Sequence, residues 1–301
     1  METPAFSIAA VERDTGLSKD VLRMWERRYG FPTPGRDANG ERIYPPEQVE
    51  HLRRVKRLMD LGHRPGKLLA ASPETLAALG PRRAAVREAE AGPEDEALAE
   101  LLGLIKQHDA AAYQHAMQQR LARQGLQDFV QHTVAVLTRR VGTAWEDGSF
   151  EVFEEHLFTE LTKRLLRQAI ATLPGGARRP RIVLTSVPDE EHALGLLMVE
   201  ALLALEGADC IPLGTQTPLQ DIGRAADAHR ADIVALSFSS AFPQRQIGAL
   251  ITQLQALLPG HTELWVGGDG VARVSAAERL RVLHSLDDTT AALRDWLATH
   301  G

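Results

Sequence analysis

The chain has 301 residues, 44% hydrophobic and 25% charged, a globular composition long enough for two or three domains. One cysteine, Cys210, excludes a disulfide framework and paired-thiolate metal sites, and no apolar run reaches the roughly 18 residues of a membrane span. The net charge of −6 is uneven: residues 1–67 hold 13 lysines and arginines against 10 acids (+3), and the remainder holds 21 against 30 (−9), a basic head on an acidic body.

The start, "METPAFSIAA", has no basic flank and no long apolar region, so no signal peptide is expected and the expected location is the cytoplasm. "SIAAVERDTGLSKDVLRMWERRYGF" then has the shape of a helix-turn-helix. Ser7 is placed to cap a first helix, Thr15-Gly16-Leu17 makes the turn, and Ser18 caps a second helix with Asp20 in its first turn. Val21, Leu22 and Trp25 face inward, which leaves Lys19, Arg23, Arg27 and Arg28 for DNA. The next loop carries Arg36, Arg42 and Tyr44 as a wing, and Pro46 opens a helix with Arg53, Arg54, Lys56 and Arg57. Read as plain structure, the same residues make a helical hairpin with solvated arginines.

Residues 76–94 read as a proline-punctuated polar linker, and residues 95–175 carry helical apolar spacing, as at Leu98, Leu101, Leu102 and Ile105 and again at Phe129, Val130, Val134 and Leu137. Several helices of ordinary length fit there, which makes a small bundle. From 178 to 301 the pattern alternates. Strand-length runs "RIVLTS", "DCIPLG", "DIVALSF", "ELWVGG" and a weaker "RVLH" are separated by helical stretches at 193–205, 219–228, 244–257 and 289–298. That order implies a parallel, doubly wound α/β sheet of about five strands, Rossmann- or flavodoxin-like, whose ligands bind beyond the carboxyl ends of the strands. Cys210 reads as a small apolar residue of a buried strand.

Three features reach that carboxyl edge: Glu190-x-His192-x-x-Gly195 after the first strand, Ser237-Phe238-Ser239 after the third, and Gly267-Gly268 after the fourth. Taken singly, each has a bland reading as a solvated histidine, a helix cap or a turn. In the bundle, "WEDGSFEVFEEH" places nine residues between Trp145 and Glu155-His156, which as plain structure would be a core tryptophan and a solvated turn.

The head, residues 1–75, resembles the MerR family of winged-helix regulators, which bind palindromic operators as dimers. The resemblance implies that Arg23 and its neighbours read the major groove while Arg36, Arg42 and Tyr44 contact the DNA backbone. The three features of the α/β block together resemble the cobalamin-binding domain of B12 proteins, with Glu for the commoner Asp at 190 and Ser for Leu at 239. That resemblance implies that His192 is the lower axial cobalt ligand and that Glu190 accepts its other ring N–H. It also implies that the cofactor's benzimidazole enters a slot lined by Ser237, Ser239, Gly267 and Gly268, with Gly195 bringing the next helix close.

The tryptophan-x9-Glu-His element is similar to that of the CarH/LitR photoreceptor regulators, which join a MerR head, a four-helix bundle and a B12 domain. It implies that the bundle caps the corrin, with Trp145 over the adenosyl group and Glu155 and His156 bonding its polar atoms. It further implies a light-responsive, adenosylcobalamin-dependent, oligomeric repressor without enzymatic activity. One departure stands out: Glu146 occupies the position where those sensors carry a histidine that ligates cobalt after photolysis. Two alternatives stay open. One is a regulator that senses the form or level of B12, or works without cofactor, and lacks photochemistry. The other is a corrinoid methyl carrier or B12 enzyme module.

Overall fold

The capping serines of the head act where their positions imply. Ser7 accepts from Ala10 N (3.3 Å) at the start of α1 (Ile8–Thr15), and Ser18 from Val21 N (3.3 Å) at the start of α2 (Lys19–Tyr29). Gly16 closes α1 at φ 68°, a left-handed conformation that costs glycine little. The structure, a computed structural model, describes residues 6–37, 40–60, 64–71, 75–76, 93–174 and 179–300. Most of the expected linker therefore lies outside the described residues, as do the side chains of Arg57 and Glu146.

Two compact units are distinguished: Met1–Glu90 with Ala144–Ser149, and Ala91–Thr143 with Phe150–Gly301. In the head, β1 (Phe6–Ser7), β2 (Gly35–Arg36) and β3 (Arg42–Tyr44) form an antiparallel sheet in the order β1-β3-β2. α3 (Pro46–Asp60) and the short α4 (Pro65–Leu68) complete it. Val11, Leu22, Trp25, Leu52 and Val55 are buried in one core, with Val21 half-buried at its edge. The i, i+3 spacing of Leu22 and Trp25 places both on the inner face of α2.

The bundle is built from α5 (Pro93–Lys106), α6 (Ala110–Asp128), α7 (Ala135–Glu146) and α8 (Val152–Ala171). α6 breaks at Gly125, whose φ is 75°, and a π-helical stretch, Phe129–Val134, leads into α7. Phe129, Val130, Val134 and Leu137, expected to form one apolar face, are all buried.

The C-terminal block alternates β4 (Arg181–Thr185), α9 (Leu194–Leu205), β5 (Asp209–Gly214), α10 (Leu219–Ala228), β6 (Ile233–Ser237), α11 (Gln244–Leu257), β7 (Glu263–Gly267), β8 (Leu280–Leu283) and α12 (Leu286–His300). All five strands are parallel, in the order β5-β4-β6-β7-β8, the flavodoxin-like arrangement. The strand order reverses between β4 and β6, so the loops leaving those two strands flank the topological switch point. The last helix begins at Leu286, earlier than its apolar spacing implied, because Asp288 accepts from His284 N and Ser285 N (2.8 and 2.9 Å) and fixes that turn. Cys210 is half-buried rather than buried, since β5 is the edge strand.

One helix ties the bundle to the sheet. α9 reads LGLLMVEALLAL, apolar almost all round, and it packs on β4, β5 and α12 on one side and on α6, α8 and the π-helical stretch on the other. A helix covered on both sides has no polar face to present. Its only carboxyl, Glu200, is buried; that burial raises its pKa, and Arg167 partly offsets the rise. Among the described residues no helix is long and apolar enough to cross a membrane.

Candidate cofactor and DNA sites

The switch-point loop is held by a buried carboxylate. Glu190 is 1% exposed, and its Oε1 accepts from His192 N at 3.0 Å and meets His192 Nδ1 at 2.7 Å. Its Oε2 accepts from Ser239 N (2.7 Å) and Ser239 Oγ (2.9 Å), on the loop leaving β6. All four bonds converge on one side chain, which joins the two loops that flank the switch point. A carboxylate can only accept, so the imidazole proton sits on Nδ1, and the lone pair of the neutral ring falls on Nε2. The His192 ring itself is exposed at the loop tip.

The electrostatics follow from this geometry. Burial alone would raise the Glu190 pKa; the bonds from the His192 ring, Ser239 N–H and His192 N–H outweigh it and hold the carboxyl below its ordinary value. The Glu190 hydrogen bond raises the His192 pKa against the effect of burial, and the charges of Glu190, Glu155 and Glu191 add to the rise. Glu155 thus brings negative charge from the first turn of α8 toward this imidazole. It accepts from Thr159 Oγ1 (2.7 Å) and lies 3.6 Å from His156 Nε2, on an exposed ring.

The glycines serve close approach. A Cβ on Gly195 would stand 2.8 Å from Ser237 Oγ, so its absence lets the start of α9 meet the end of β6. Gly268 has φ 95°, and a Cβ there would lie 2.3 Å from the Phe238 carbonyl oxygen. Gly267 is less demanding, with Leu283 O at 3.3 Å. Gly270, which sequence reasoning passed over, is as tight: its Cβ would come within 2.6 Å of Ser239 O. Gly268 and Gly270 therefore seat the loop that carries Ser239. The third glycine of "GGDG" was the available signal. Trp145 lies in the last turn of α7, and Gly148 N bonds to its carbonyl at 3.2 Å.

In the head, α2 exposes Arg23, Arg27 and Arg28. Arg23 lies 3.4 Å from Asp20, Arg27 Nε donates to Arg23 O (3.3 Å), and Arg28 stacks over Tyr29. Lys19 is half-buried and pairs with Glu12 (3.4 Å). Arg36 is exposed and donates to Gly40 O (2.6 Å) across the wing turn.

One wing expectation is corrected. Tyr44 is 0% exposed within the head core, so it has no surface to offer a phosphate. The alternation along β3 turns its ring inward. Arg42 is half-buried in an ion pair with Glu26 of α2 (2.9 Å), which anchors the wing to that helix. Glu26 was legible only as one more surface acid.

Known proteins match the chain in three segments. Residues 6–68 match the model of the MerR HTH family regulatory protein, and residues 97–170 and 180–288 match two models of the B12 binding domain. The HTH-type transcriptional repressor CarH of Myxococcus xanthus is 32% identical over 272 residues, 89% of this chain and 90% of that protein. The repressor CarA of the same organism is 30% identical over 285 residues, 93% of this chain and 90% of that protein. The chain belongs to the CarH/CarA family.

This member of the CarH/CarA family is accordingly a DNA-binding transcriptional regulator of MerR type with cobalamin-binding domains, and not an enzyme by kinship. The fold of its body is also that of the monomethylamine corrinoid protein of Methanosarcina barkeri, at a TM-score of 0.53 and 15% identity, over 67% of this chain and 99% of that one. The donor set fits a corrinoid. Among the described residues no group of three His, Cys, Asp or Glu could hold a metal ion. A single oriented imidazole is what a cobalt already held by a macrocycle requires.

Proposed function

We propose that this protein is an adenosylcobalamin-dependent, light-responsive repressor that acts in the cytoplasm and binds operator DNA as a homo-oligomer. The observation that carries the reading is the pair at the switch point: a buried Glu190 that pins the Nδ1 side of an exposed His192 and leaves Nε2 to bind. The names of its relatives CarH and CarA, both repressors, support the regulatory half.

Bound adenosylcobalamin would supply a cobalt centre and a photolabile cobalt–carbon bond. His192 would hold the cobalt through Nε2, and Glu190 keeps the proton on Nδ1. Ser237, Ser239, Gly195, Gly267 and Gly268 would hold the cofactor's benzimidazole. Trp145 would pack against the adenosyl group, and Glu155 and His156 would bond its polar atoms. α9 begins two residues after His192 and packs against α6 and α8, so the bundle responds to what His192 holds. Lys19, Arg23, Arg27, Arg28, Arg36 and Arg42 serve the DNA.

A second reading, sensing of cobalamin without photochemistry, is favoured by Glu146 next to Trp145. The test is to load the full chain with adenosylcobalamin in darkness and record its absorption, assembly size and operator binding before and after green light. Light-dependent loss of both assembly and DNA binding is expected. Retention of both with the corrinoid bound would leave the second reading, and no corrinoid retained through desalting would overturn both.

A further inference from the structure

The loop that carries His192 is tied to both neighbours of β4, and one of the two ties is unassigned. On the β6 side stands Ser239, already described. On the β5 side stands Ser186, the residue that follows β4, fully buried. Its Oγ donates to the Glu190 carbonyl oxygen (2.5 Å) and accepts from Gln216 N (2.9 Å). Its own carbonyl accepts from Thr217 N (2.9 Å). One hydroxyl thus spans the ligand loop and the loop after β5, using both its donor and an acceptor.

The stretch it closes is a proline turn: Asp189 sits at φ 69°, a left-handed conformation that aspartate tolerates, and across the gap Gln216 sits at φ 61°. Within that turn Glu190 N also donates to Val187 O at 3.2 Å. The Ser186 bond therefore fixes the Glu190 main chain, and the Glu190 side chain fixes His192.

We propose that Ser186 is a positioning residue for the His192 ligand: it holds the Glu190 main chain so that the carboxylate meets Nδ1 and Nε2 faces outward. This rests on His192 being the cobalt ligand, and the experiment separates the two claims. Thr185 is the matched control. It is equally buried, and its Oγ1 meets Thr217 Oγ1 (2.7 Å), Gly214 O (3.0 Å) and the Ser186 carbonyl (3.3 Å), stitching the same strands without touching the Ser186 hydroxyl or Glu190.

The full chain is labelled with 15N in its imidazoles, and the His192 signals are identified by their loss in His192→Gln. The tautomer of His192 is read first without cofactor, and the dissociation constant for hydroxocobalamin is then measured by absorbance. Wild type shows His192 protonated on Nδ1. Ser186→Ala gives a tautomer mixture and binds about tenfold more weakly, as loss of a group supporting a metal ligand does. Ser186→Cys, which keeps the shape with a weaker donor, moves both readouts in the same direction by less, while Thr185→Val leaves both at wild type. The proposal is overturned if Ser186→Ala keeps one tautomer and the wild-type affinity, or if Thr185→Val moves the readouts as far. If the tautomer responds to Ser186→Ala but wild type does not bind hydroxocobalamin, the latch stands and the cobalt role of His192 falls.

Discussion

Ser239 places two hydrogen bonds on a single oxygen of Glu190, from its main-chain N–H at 2.7 Å and its hydroxyl at 2.9 Å. The other carboxylate oxygen serves His192, so one buried side chain carries the register between two strand ends. Removing the carboxylate should therefore cost more than removing either partner. Glu190→Ala is expected to weaken cobalamin binding by about 10- to 100-fold. Ser239→Ala, which keeps the main-chain bond, should fall below that range. Absorbance titration of both variants checks the order; equal effects would contradict it.

Backbone proximity at the same edge gives a stability prediction. Gly268→Ala meets both a positive φ and the Phe238 carbonyl, a group that cannot swing aside. It should destabilise by about 2–4 kcal/mol in thermal unfolding. Gly195→Ala should be milder, because its new methyl would meet the Ser237 hydroxyl, which can rotate.

Glu200 gives a pH prediction. Burial raises its pKa in the folded state, so its charged form works against folding, and the penalty grows as pH climbs from the unfolded carboxyl range through the raised folded value. Glu200→Gln should match wild type in melting temperature near pH 4 and exceed it at pH 8. A constant difference across that range would contradict the assignment.

The head yields a contrast between two wing residues. The Tyr44 hydroxyl is buried with no hydrogen-bond partner among the described residues, so Tyr44→Phe should be neutral or stabilise by about 1 kcal/mol and leave DNA binding intact. Glu26→Gln loosens its hold on Arg42 and frees a cation near the recognition helix. Non-specific DNA affinity should rise, and the slope of log affinity against log salt should steepen by about 1. Fluorescence anisotropy over a salt series reads both.

Much of this was legible because local chemistry and tertiary need coincide. Ser7, Ser18 and Gly16 mark the helix-turn-helix, and the five strand-length runs all became strands, most plainly the central β4, β6 and β7, whose near-continuous burial leaves no polar face to blur them. The Glu190–His192 pair could be read from two residues' separation. What escaped depends on long-range partners. Nothing near Tyr44 announces that its ring closes the head core, and nothing near Arg42 announces Glu26 on another element. Ser186 bonds Gln216, thirty residues on. A polar residue in sequence reads as exposed until its partner is known.

The central claim is that His192, oriented by Glu190, binds cobalt through Nε2. The most direct test is electron paramagnetic resonance of the full chain loaded with cob(II)alamin, prepared with 14N- and with 15N-labelled histidine. The account predicts a nitrogen superhyperfine triplet that becomes a doublet on labelling and is lost in His192→Ala. A triplet that survives 15N labelling would place the cofactor's own base on the metal and contradict the account.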